Sequence, residues 1–143
     1  MDDRLLIALL DQAPDAVIFA DPGGLITYWN AAAERVFGHA ADAVLGQRLD
    51  LIIPEAQREA HWHGFYRALG AGETKYAGKA LPTRALRADG ETIYVELSFA
   101  IVKSPGGEFA GALAFARDIT ERWTQDREMR RKLRELEGSR APS

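Results

Sequence analysis

The sequence predicts an α+β domain built around an antiparallel sheet, on three observations. Two β-rich runs, DAVIFAD and LITYWN, flank the turn signal PGG; short helical segments follow; three further strand candidates, joined at ADG and SPGG, come after them. A chain of 143 residues has room for one core, and its 47% apolar content is enough to fill it. Such a sheet must bury one face against the helices.

From Asp3 to Gln12, Leu5, Leu6, Leu9 and Leu10 recur at helical spacing, and Pro14 stops the helix they form. Asp15 to Asn30 reads as a hairpin. Asn30 then N-caps AAAERVF, which Gly38 closes as a left-handed C-terminal residue. A short helix and a connection lead to Pro54, ahead of the longest internal helix, Glu55 to Leu69, ended by GAG. The strands GKALPTRALRADG, ETIYVELSFAIVKSPGG and EFAGALAFARDIT follow. In the second of them Ile93, Val95, Leu97 and Phe99 share one face, and Tyr94, Glu96 and Ser98 the other. A last helix runs from Glu121 to Glu137, with Asp126, Met129, Leu133 and Leu136 at a/d spacing over less than two heptads. The closing GSRAPS is expected to be disordered. The expected division is a flanking helix over 1–13, a core over 14–120 and a tail over 121–143.

Composition removes several function classes. With no cysteine there is no disulfide framework, thiolate metal site or cysteine nucleophile. A net charge of −3 argues against direct nucleic-acid binding, because phosphate neutralisation needs clustered Lys and Arg, and the one basic cluster, REMRRKLRELEGSR, carries acids at helical spacing. No apolar run approaches the roughly 20 residues of a membrane span, and LLIALL lacks the flanks of a signal peptide. These features predict a cytoplasmic chain without a membrane partner. There is no phosphate loop, nucleophile elbow or helix-spaced carboxylate pair, so the chain is not expected to be an enzyme.

The segment REAHWHGFYRALGAGE, Arg58 to Glu73, sets two histidines around a tryptophan inside the longest internal helix. Its strongest apolar stripe is Trp62, Phe65, Tyr66 and Leu69, which leaves His61 near the edge, about 90° off centre. His63, near the opposite edge, and His39, in a loop, are expected at the surface. No Asp or Glu cluster stands at metal-ligand spacing from them.

Element order and wording together resemble the PAS domain family. DAVIFADPGGLITYWNAAAERVFGHAADAVLGQRL is similar to a PAS opening, ADGETIYVELSF and GEFAGALAFARDITER to its last two strands, and Asp118-Ile119-Thr120 to the Asp-x-Thr signature that ends the core. The likeness runs from about Leu6 to Arg122. It implies a five-stranded antiparallel sheet with short helices on one face, forming a pocket, and flanking helices that pass its state to an output module or dimer partner. The central helix also resembles that of heme-binding oxygen-sensor PAS domains, in which His61 falls at the axial position and would be the iron ligand; Gly64 and Ala68 would leave room for a porphyrin. The arginine those sensors carry on the next strand is replaced by Leu81. The photoreceptor types of the family need a cysteine this chain lacks.

Read this way, the pocket is expected to involve His61, Trp62, Phe65, Leu69, Leu81, Leu97, Phe99 and Phe115, with Trp29, Tyr66 and Tyr94 as further aromatic wall. Its occupant is heme or another planar or apolar molecule; otherwise His61 is a packing residue. The alternative is a ligand-free module regulating a partner kinase, cyclase or transcription factor, and in either case a homodimer through Leu6, Leu9, Leu10 and the C-terminal helix is expected.

Overall fold

Residues 1–71 and 81–140 are described by a computed structural model of the chain. Helix α1 (Asp3–Asp11) leads into strands β1 (Ala16–Ala20) and β2 (Ile26–Trp29). Helices α2 (Ala31–Phe37) and α3 (Ala41–Val44) and two 3-10 turns (Leu49–Ile52 and Glu55–Gln57) precede helix α4 (Arg58–Ala71). Strands β3 (Leu81–Leu86), β4 (Thr92–Lys103) and β5 (Phe109–Asp118) complete the sheet before helix α5 (Thr120–Arg140). The five strands are antiparallel neighbours in the order β2-β1-β5-β4-β3, so the last strand lies at the centre, beside the first.

One face of this sheet carries the core. Ala16, Ile18, Ile26, Trp29, Ile93, Val95 and Ala116 are buried there under Ala33 and Phe37 of α2 and Val44 of α3. The period-2 alternation of a strand puts Leu97 and Phe99 on the same side as Val95. Asn30 joins the hairpin to the helices. Fully buried, its Oδ1 accepts from the N–H groups of Val17 and Ala33, each at 2.9 Å, and its Nδ2 donates to the carbonyls of Leu10 at 2.9 Å and Asp15 at 3.1 Å. The N-cap expected of Asn30 and the left-handed Gly38, at φ 78°, are both present.

Two glycines bear on the sheet's geometry. At the β4–β5 bulge Gly111 has φ 146°, and a Cβ there would lie 2.0 Å from the Ala20 carbonyl oxygen, so β5 approaches β1 only because no side chain intervenes. Gly24, at φ 84°, completes the hairpin turn, in which Asp21 Oδ1 accepts from the N–H groups of Gly23 and Leu25.

At the other end, Asp118 and Thr120 organise the strand-to-helix junction. The Thr120 hydroxyl accepts from Tyr94 N–H at 3.0 Å and donates to Asp118 Oδ1 at 2.6 Å, while Thr120 N–H donates to the same carboxylate at 2.9 Å. Trp123 then stacks on Tyr94, with ring centroids 5.0 Å apart and planes 21° apart, which seats the first turn of α5 on the outer sheet face. The helix runs on to Arg140, so the first three residues of GSRAPS are helical rather than disordered; 141–143 lie outside the described residues, as does Gly72 of the GAG expected to end α4.

Candidate functional site

A cavity of about 980 Å³ lies between α4 and the sheet. Its sheet wall is Leu97, Phe99 and Ile101 of β4 with Ala112 and Ala114 of β5; its helix wall includes Ala60, His61, Gly64, Phe65 and Ala68. The space exists because the inner face of the central strand is lined with alanines. In GALAFA every second residue is small, and Ala112 and Ala114 face inward opposite Ala20 and Ile18. Glu59, His63 and Arg67 add polar groups to the lining.

The helix is not turned as its apolar stripe suggests. The side presented to the cavity is His61, Gly64, Phe65 and Ala68, rotated by about 100°, or one residue, from the stripe centred on Trp62, Phe65, Tyr66 and Leu69. Trp62 instead faces the hairpin. Its indole N–H donates to Asp50 Oδ1, the Arg48 guanidinium sits 4.3 Å over its ring, and Tyr66, itself 49% exposed, stacks on it at 5.9 Å. In this orientation the indole has a hydrogen bond, a cation–π contact and a stack in place of deeper burial against the sheet.

The other expected pocket residues divide accordingly. His61, Phe65, Leu97 and Phe99 are together in the cavity wall. Leu69 is half-buried on the flank of α4 and Leu81 half-buried at the start of β3, its Cα opposite that of Leu97; neither reaches the wall. Phe115 is a correction: strand alternation turns it to the outer face between Ala114 and Ala116, where it is 37% exposed. Tyr94 is on that outer face too, under Trp123, and Trp29 is in the core, its indole N–H donating to the His39 carbonyl at 3.0 Å. His39 is half-buried rather than at the surface; His63 is exposed. Ala60, Ile101, Ala112 and Ala114 are wall residues that the aromatic pattern misses; the small-residue alternation in GALAFA signals Ala112 and Ala114.

His61 is the titratable group in this wall that is half-buried; Glu59, His63 and Arg67 are exposed. Its ring lies 4.8 Å from Trp62, nearly perpendicular, and 6.0 Å from Phe65. Burial lowers its pKa from the ordinary histidine value, with the nearby Asp50 charge acting in the opposite direction, so the imidazole is neutral at pH 7. Among the described residues four buried side-chain polar atoms lack a hydrogen-bond partner: Tyr28 Oη, His39 Nε2, His61 Nδ1 and Trp123 Nε1. Of these, His61 alone lines the cavity. A neutral imidazole in the cavity wall, flanked by Gly64 and Ala68 and across from an apolar sheet face, fits an axial iron ligand beside a flat macrocycle. Among the described residues there is no cluster of three or more His, Asp or Glu able to hold a bare metal ion.

A model of the PAS fold matches residues 4–119. The chain is 38% identical over 125 residues to an uncharacterised protein of Azorhizobium caulinodans, covering 87% of this chain and 17% of that one. It is 34% identical over 118 residues to the sensor protein FixL of Bradyrhizobium diazoefficiens, covering 81% of this chain and 23% of that one. It thus spans about a fifth of the length of these relatives. The crystal structure of a PAS domain from Colwellia psychrerythraea superposes with a TM-score of 0.71 at 23% identity, covering 82% of this chain and 97% of that one. With the sheet order, the junction at Asp118 and Thr120 and the helix-covered cavity already in place, these likenesses show that the chain belongs to the PAS family of sensory domains in signal transduction.

Proposed function

We propose that this is a cofactor-based sensor domain whose cavity holds heme, with His61 as the iron ligand. The observation that carries the reading is the place of His61: its imidazole lines a cavity whose sheet wall, Leu97, Phe99, Ile101, Ala112 and Ala114, is wholly apolar, beside the small Gly64 and Ala68. Bound heme would supply redox and gas-binding chemistry; the protein's part is to hold the ring and exclude water. His61 presents a neutral imidazole, Gly64 and Ala68 leave space beside it, and Leu97, Phe99 and Ile101 supply an apolar face. Arg67 and His63 are positioned to pair with carboxylates at the edge of such a ligand. The 34% identity to a protein named as a sensor supports the same class. The domain would work in the cytoplasm as a regulator of an output module and would itself catalyse nothing.

Thermal melts with hemin and with metal-free protoporphyrin IX test this. Ligands that bind only the folded state raise the melting temperature. Both should stabilise the wild type, hemin more strongly, and His61→Ala should cancel the difference between them. Equal stabilisation in wild type and variant would leave a cavity for apolar planar molecules and no iron ligand at His61.

A second reading rests on α1. None of its residues is buried, and Leu5, Leu6, Ile7, Leu9 and Leu10 are all at least 41% exposed. With Met129, Leu133 and Leu136 exposed on α5, they favour a homodimer through both flanking helices. Size-exclusion chromatography with light scattering should give dimers, and removal of residues 1–10 should give monomers. A truncated chain that stays dimeric contradicts the α1 contact.

A further inference from the structure

We infer that Trp62, Asp50 and Gly24 form a lock that sets the rotation of α4 about its axis, and that this lock, rather than burial of the helix's apolar stripe, turns His61 into the cavity. The inference deepens the reading of His61 as the ligand-holding residue and rests on it for its functional meaning.

Burial alone would orient α4 differently. Turning the stripe of Trp62, Phe65, Tyr66 and Leu69 to the sheet would bury the most apolar area and move His61 about 100° away from the wall it now lines. In the observed orientation Tyr66 remains 49% exposed, so the helix forgoes part of that burial. What it gains is local to Trp62. The indole N–H has an anionic acceptor in Asp50, the Arg48 guanidinium covers the ring at 4.3 Å, and Arg48 in turn pairs with Asp50 at 3.5 Å.

The third part of the lock is a missing side chain. A Cβ on Gly24 would stand 2.4 Å from both Cη2 and Cζ3 of Trp62, so the indole rests where only glycine leaves room. The same glycine sits at φ 84°, which ties the seat to the turn of the hairpin. Asp50 and Arg48 belong to the segment after α3, which lies alongside this hairpin strand: Arg48 bridges to Leu25, and Ile26 N–H donates to the Gln47 carbonyl at 2.8 Å. Seat, acceptor and cation are thus joined by backbone pairing, and α4 is held against them by the residue that adjoins His61. Trp62 is a positioning residue. It lines no part of the cavity, yet its side chain decides which residue does.

The test reads the exposure of His61 directly. Full-length wild type, Trp62→Phe, Asp50→Leu and Asp50→Asn are treated briefly with diethyl pyrocarbonate, and modification of His61, His63 and His39 is followed by peptide mass spectrometry. Trp62→Phe and Asp50→Leu remove the hydrogen bond from either side, whereas Asp50→Asn keeps an acceptor and should restore wild-type behaviour. The expected result is a rise of about tenfold in His61 modification in the first two variants, the population change that one hydrogen bond to a charged group supports, with His39 unchanged. Hemin affinity should fall by a similar factor in the same two. A general loss of stability would instead raise modification at His39 as well. Folded Trp62→Phe and Asp50→Leu proteins with His61 modification at the wild-type rate would overturn the lock. Should the wild type take no hemin while His61 still becomes reactive in both variants, the lock stands and the heme reading falls.

Discussion

His61 and Trp62 are adjacent in sequence and serve neighbouring sides of α4: their rings meet nearly perpendicular at 4.8 Å, the imidazole in the cavity wall and the indole over the turn at Gly24. A helix turns about 100° per residue, so neighbours can divide a ligand site from its anchor. That division links the hairpin to the cavity.

Acid should weaken the fold through His61. Burial holds its folded-state pKa below the ordinary value, so the unfolded chain takes up the proton first. The contribution is complete above about pH 6.5 and declines as pH falls from there through the folded-state pKa. Urea midpoints of ligand-free wild type and His61→Gln at pH 7.5 and 5.5 check this. The wild type should lose more stability than the variant over that step, and parallel losses would contradict the assignment.

Asn30→Ala should cost about 3 kcal/mol or more, because it leaves the buried N–H groups of Val17 and Ala33 without an acceptor and removes a helix cap. Chemical denaturation measures it. A loss under about 1 kcal/mol would mean that water or a shifted backbone replaces the amide.

Gly111→Ala should be at least as damaging, by roughly 3 kcal/mol, from a clash with the Ala20 carbonyl at a backbone angle that side chains avoid. Gly46→Ala provides the contrast. It shares a positive φ, but a Cβ there meets nothing within 4 Å, so the smaller loss in the same denaturation assay should reflect strain alone.

Trp123→Ala should loosen α5 while sparing the core. The stack on Tyr94 is worth about 1 kcal/mol and fastens the helix's first turn. Amide exchange should quicken over 120–130 and stay unchanged in β1 and β5. Uniform acceleration would place Trp123 in the global fold instead.

Much of this architecture is legible in the residues. The PGG turn, the Asn30 cap, Gly38 and the alternation in TIYVELSF each state a local geometry that the fold adopts, and in sequence order they give two strands, helices and three strands. Asp118 also accepts the first N–H of the last helix as its residue type suggests, while the Thr120 hydroxyl ties that helix to Tyr94 instead. The cavity was harder to read. Its sheet wall depends on the absence of bulk at Ala112 and Ala114, and large aromatics such as Phe115 draw attention to the opposite face. Its helix wall depends on the rotation of α4, which the apolar stripe misstates because a tertiary hydrogen bond, from Trp62 to Asp50, decides it. His39 shows the same limit: a loop position gives no sign that Trp29 will bond to its carbonyl and draw it inward.

Whether His61 holds a cofactor in the cavity is read from the absorption spectrum of the purified protein titrated with hemin, beside His61→Ala. A sharpened, shifted Soret band that saturates at one hemin per chain and is lost in the variant is the expected result. A spectrum identical to that of free hemin, or one that His61→Ala leaves unchanged, would contradict it.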